Sequence, residues 1–133
     1  MKTGLDHLPA KKQRELKRVV EILFEEFEQA LGLATSTRKK QGRILKIILF
    51  GSYARGGWVD EPHTAKGYIS DYDLLIVVNQ KELTDFTDYW YTAEDRLIRE
   101  TAIKPPVNFI VHTLDEMNDA LSKRSILLHG YQE

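Results

Sequence analysis

Two carboxylates one residue apart, in Ser70-Asp71-Tyr72-Asp73-Leu74-Leu75-Ile76-Val77-Val78, carry the clearest chemistry in this 133-residue chain. The apolar tail of that stretch reads as a buried strand. Alternate residues of a strand share a face, so Asp71 and Asp73 point the same way, about 6–7 Å apart along the backbone. Paired carboxylates can hold a hard divalent ion through oxygen ligands, with water and phosphate oxygens completing the shell. The ion also offsets a repulsion that would otherwise raise one carboxyl pKa. Alone, Asp-x-Asp is a weak signal, because surface strands carry it too.

The signal strengthens upstream, where an aliphatic run from Arg43 to Phe50 is halted by Gly51-Ser52-Tyr53-Ala54-Arg55-Gly56-Gly57. Glycine allows a close backbone approach that a side chain would block. Ser52 can cap a short helix, and Tyr53 to Arg55 read as one helical turn ended by the two glycines. A strand, a glycine and a helix start together aim backbone N–H groups at an anion. Neither the Walker A pattern nor the dinucleotide fingerprint is present, so Gly51-Ser52 is not a conventional P-loop.

Gly51-Ser52-Tyr53-Ala54-Arg55-Gly56 followed by Ser70-Asp71-Tyr72-Asp73-Leu74-Leu75-Ile76-Val77 closely resembles the signature of the minimal nucleotidyltransferases of the DNA polymerase beta superfamily, over about Ile44 to His112. The resemblance implies an α/β nucleotidyltransferase fold with a small mixed sheet and helices packed mainly on one face. It implies transfer of a nucleoside monophosphate, AMP from ATP above all, onto a hydroxyl acceptor. Gly51 and Ser52 would then contact the triphosphate, with Arg55 neutralising charge, and Asp71 and Asp73 would bind Mg²⁺, or Mn²⁺ in its place. The family's third carboxylate falls on Asn108. An amide can ligate or donate a hydrogen bond but cannot act as a carboxylate base. Ser52 and Asp71 are separated by 18 residues, longer than in the compact family form. Members often accompany a helical HEPN-domain protein, and some look like antitoxins that adenylylate it. The rival reading is a non-catalytic nucleotide-binding or protein-neutralising module.

Several elements must position these residues. From Ala10, Leu16, Val19, Val20, Leu23, Phe24, Phe27 and Leu31 recur at three- and four-residue intervals, the stripe of an amphipathic helix with Glu and Lys opposite and Gly32 as C-cap. Residues 1–9 read as a loose arm and residues 35–42 as a loop. Arg43 to Phe50 is apolar on both faces and suits a central strand. Residues 58–69 form a flap, in which Pro62 and Gly67 argue against regular structure. A helix from Leu83 to Ala102 presents Phe86, Tyr89, Trp90, Ala93, Leu97 and Ile98. Pro105-Pro106 stops it, and Val107 to His112 alternate as a third strand. Thr113 and Glu116 fit a capping box for a short helix. Residues 125–130 read as a strand or a helix end.

Composition bounds the alternatives. Length suits a single domain, residues 1–133, expected to be the N-terminal piece of a longer protein. With no cysteine, disulfides and thiolate ligands are out. No apolar run is long enough to span a membrane, and no secretory signal is evident, so a cytoplasmic protein is expected. The net charge of −1 conceals a basic first third, which either steers an anionic partner such as nucleic acid or forms a solvated helix face. His7, His63, His112 and His129 show no metal-ligand spacing; His63, in the flap, is a substrate-contact candidate.

Overall fold

The computed structural model describes residues 5–33, 41–61, 68–117 and 125–130. The first helix, α1, runs from Ala10 to Gly32 and buries Leu16, Val19, Ile22, Leu23 and Phe27, as its periodicity requires. Gly32 belongs to the helix itself, and Leu33 takes the C-cap. The expectation that Lys and Glu all face water fails at the N-terminal end, where Lys12 and Glu15 are buried. They lie four residues before Leu16 and Val19, and so on the same stripe. The described part of the expected loose arm is also docked. Leu8 is buried, Gln13 Nε2 donates to the carbonyls of Leu5 and Leu8, and His7 Nε2 is 3.0 Å from the Tyr53 carbonyl.

Strand β1, Ile44–Phe50, leads into a single turn of helix, α2, at Ser52–Arg55. The flap contains a two-residue ladder, β2 at Asp60–Glu61 against β3 at Tyr68–Ile69, so regular pairing survives there despite Pro62 and Gly67. Strand β4 is Tyr72–Val78, β5 is Val107–Thr113 and β6 is Ile126–Gly130, which decides the open choice at the chain's end in favour of a strand. The main sheet has the order β5-β4-β1-β6. Its β1 pairs antiparallel with β4 and β6, while β4 and β5 run parallel, making the sheet mixed. A parallel pair needs a crossover, supplied here by helical pieces between Lys81 and Arg99.

That crossover departs from one continuous helix. It consists of a 3₁₀ turn at Lys81–Thr84, then α3 at Phe86–Tyr89 and α4 at Tyr91–Arg99. The break has a local cause: the Asp85 carboxylate accepts the Asp88 N–H as an N-cap, starting a new helix inside the apolar stripe. Trp90 is then fully buried with its indole N–H on the Leu83 carbonyl at 2.7 Å. Ile98, expected on the apolar face, is instead 76% exposed.

Alternation along β4 separates two cores. Tyr72, Leu74, Ile76 and Val78 join the large cluster under α1, α3 and α4, whereas Leu75 and Val77 pack with Ile48 on the opposite face. Helices therefore cover mainly one face, as expected. A short helix, α5, at Leu114–Met117 follows β5, with Thr113 N–H and hydroxyl both on Glu116 Oε1 at 3.0 Å. Among the described residues no helix is long and apolar enough to cross a membrane.

Candidate active site

Three strand ends meet at one edge of the main sheet. Phe50, the last residue of β1, lies opposite Asp73 in β4, and Asp73 lies opposite Asn108 in β5. Because β1 is antiparallel and β5 parallel to β4, the exit of β1 and the entries of β4 and β5 fall together. Gly51, Asp71, Asp73 and Asn108 therefore converge from parts of the chain more than fifty residues apart.

Gly51 adopts φ 76° and ψ −155°, a region that only glycine occupies without strain. A Cβ on it would collide with Asp73 Oδ2. The chain then turns through α2, where Gly51 is the N-cap and Ser52 the first helical residue, so Ser52 does not take the capping place expected for it. Gly56 closes the turn at φ 91°, and both Gly56 and Gly57 donate to the Ser52 carbonyl. Amide groups at the start of such a turn have no acceptor within it.

The two aspartates are half-buried. Asn108 Nδ2 donates to Asp71 Oδ2 at 2.7 Å. Burial pushes the Asp73 carboxyl above its ordinary value; a hydrogen bond from Asn108 opposes this, the Asp71 charge adds to it and the Arg55 cation opposes it. Asn108 thus bonds Asp71 and lies opposite Asp73 in the β4–β5 register, and the exposed Arg55 lies near enough for its charge to be felt at Asp73.

The donor set fits a hard cation. Two carboxylates and an amide that can turn its oxygen inward supply oxygen ligands, and the missing Gly51 side chain lets the Asp73 carboxylate pack against the backbone of the turn. Among the described residues no three His, Cys, Asp or Glu side chains cluster for a metal. Asp115 and Glu116 stand in the first turn of α5, where Glu116 is engaged by Thr113 and Lys81, consistent with first-turn charge. His63 lies outside the described residues.

Sequence reasoning missed a polar group behind the aspartates. Glu15 Oε1 accepts the Tyr72 hydroxyl at 2.7 Å, and Lys12 Nζ lies 5.5 Å from the centre of the Tyr53 ring. The available signal was the α1 stripe, which lands on Lys12 and Glu15 when extended one turn toward the N-terminus.

Comparison with known proteins adds a family. Residues 32–130 match the nucleotidyltransferase domain family. A protein of Methanocaldococcus jannaschii named "Putative protein adenylyltransferase" is 47% identical over 57 residues, covering 43% of this chain and 44% of that protein. The match thus spans less than half the length of this curated relative. A crystal structure of a "putative nucleotidyltransferase" from Sulfolobus solfataricus aligns over 92% of this chain and 90% of its own, at 20% identity and a TM-score of 0.48.

Proposed function

Because the chain belongs to the nucleotidyltransferase domain family, we propose that it transfers AMP from ATP to a hydroxyl of a partner protein, using Mg²⁺ or Mn²⁺. The observation that carries this reading is the convergence of the Gly51 turn with Asp71, Asp73 and Asn108 at one sheet edge. Asp71 and Asp73 hold the ion, which when bound polarises the α-phosphate and offsets charge on the leaving pyrophosphate. Gly51 admits the Asp73 carboxylate close to the turn that would hold the phosphates, and the first amides of α2 with Ser52 donate to a phosphate oxygen. Arg55 adds positive charge from the turn's last residue. Asn108 orients Asp71 through its amide. The protein acceptor follows the name of the Methanocaldococcus relative, and a HEPN-domain partner with an acceptor tyrosine is the candidate that the sequence resemblance implies.

One observation favours a second reading, a nucleotide-binding or antitoxin-like module without turnover. Asn108 donates a hydrogen bond to Asp71, where a third carboxylate could instead accept a proton from the acceptor hydroxyl. An assay with α-labelled ATP, Mg²⁺, the purified chain and lysate proteins from its source, followed by mass spectrometry, separates the two. Transfer predicts a labelled acceptor that vanishes with Asp71→Asn. Binding of Mg²⁺-ATP without label selects the second reading, and no binding overturns both.

A further inference from the structure

Glu15 and Lys12, each 3% exposed, lie on the inner stripe of α1, on the side of β4 away from the aspartates. Glu15 uses both oxygens. Oε1 accepts the Tyr72 hydroxyl at 2.7 Å, and Oε2 accepts the Lys104 N–H at 2.9 Å. Tyr72 stands between Asp71 and Asp73, and Lys104 stands four residues before Asn108. One carboxylate therefore holds both the chain entering β4 and the chain entering β5. Tyr72 N donates to the Pro106 carbonyl at 2.8 Å, joining the same two segments, and Asp73 then faces Asn108.

Lys12 balances the buried charge, with Nζ 3.7 Å from Glu15 Oε1. Its ammonium also lies 5.5 Å and 5.8 Å from the centres of the Tyr53 and Trp58 rings, which stack on each other beside the Gly51 turn. A buried ion pair gains little stability over well-packed apolar residues, because desolvation offsets the attraction. What a carboxylate adds here is two acceptors at a fixed separation, each engaged by a different strand entry.

We propose that Glu15 is a positioning residue: by bridging the Tyr72 hydroxyl and the Lys104 amide, it sets the separation of the β4 and β5 entries and thereby the contact of Asn108 with Asp71. Its functional consequence rests on Asp71 and Asp73 being ion ligands; its geometric content does not. The test uses the full chain with Glu15→Leu, Glu15→Gln and Tyr72→Phe. It reads the side-chain amide resonances of Asn108 in ¹⁵N-labelled protein and the calorimetric Kd of Mg²⁺-ATP. Glu15→Leu and Tyr72→Phe are expected to shift or broaden the Asn108 pair while the fold persists, and to weaken Mg²⁺-ATP binding by about ten- to a hundredfold. Glu15→Gln, which keeps an acceptor for Lys104 and an amide for Tyr72, is expected to recover part of both.

Unchanged Asn108 resonances in folded Glu15→Leu overturn the proposal. If that variant does not fold, Tyr72→Phe removes a single hydroxyl from the same bridge and decides by the same criterion. A wild-type chain that binds no Mg²⁺-ATP defeats the proposed function instead, and the Asn108 resonances still judge the positioning role.

Discussion

At Gly51 a single missing methyl group serves both backbone and site. Its backbone conformation excludes side chains, and a Cβ would strike Asp73 Oδ2. Gly51→Ala is therefore expected to cost about 1–3 kcal/mol in urea unfolding and to abolish Mg²⁺-dependent ATP binding by calorimetry. Asp73 shows the opposite trade. Its folded pKa is raised, mainly by burial, so ionising it at neutral pH weakens the metal-free fold. Asp73→Asn should raise the Tm of the metal-free protein at pH 7, and the gain should fade as pH falls through the raised folded pKa toward the ordinary aspartate value of 3.8, below which none remains. The same variant should lose Mg²⁺-ATP binding. A Tm lowered at neutral pH would contradict the burial account.

Two elements end where local hydrogen bonds dictate. At the β5–α5 junction, the Thr113 N–H and hydroxyl together with Lys81 hold the Glu116 carboxyl down at about 2, from an ordinary 4.5. A depressed folded pKa gives stability that is present above 4.5 and lost as pH falls toward 2. Glu116→Gln should accordingly lower Tm at pH 7, and the gap to wild type should close on acidification through that window. The broken crossover yields a contrast between neighbours. Leu97 is 5% exposed and Ile98 76%, so Leu97→Ala should cost about 2–5 kcal/mol in urea unfolding, while Ile98→Ala stays within about 0.5 kcal/mol. Equal losses would contradict the burial of Leu97 and the exposure of Ile98.

Across the whole molecule, the sheet separates support from chemistry. One face of β4 carries the large core under the helices; the other carries Asp73, with Leu75 and Val77 in the smaller core. Surface pairs such as Arg18 with Glu100 and Arg96 with Glu25 and Glu26 join α1 to the crossover, but exposed pairs contribute little. The apolar interior supplies the rigidity on which the sheet edge depends. A ligand that binds only this folded edge should stabilise the whole domain. ATP with Mg²⁺ at a hundred times Kd should add about 2.7 kcal/mol, seen as a rise in Tm that Asp73→Asn eliminates. ATP without the ion should raise Tm much less.

The strands around Ile44–Phe50 and Tyr72–Val78, the α1 stripe, the turn at Gly51 and the shared face of Asp71 and Asp73 were legible from residue types and spacing, because periodicity and glycine chemistry are local. The same locality misled at the crossover, where an Asp85 cap interrupts a stripe that periodicity extends unbroken. It also misled at Lys12 and Glu15, whose charge reads as solvent-facing until Tyr72 and the Lys104 amide are found against them. The strand order and the parallel pairing of β4 with β5 belong to tertiary structure alone; the resemblance named Asn108, but only the fold shows its amide on Asp71 and its register with Asp73. They depend on contacts between residues tens of positions apart, and no local pattern in the chain encodes which strand lies beside which.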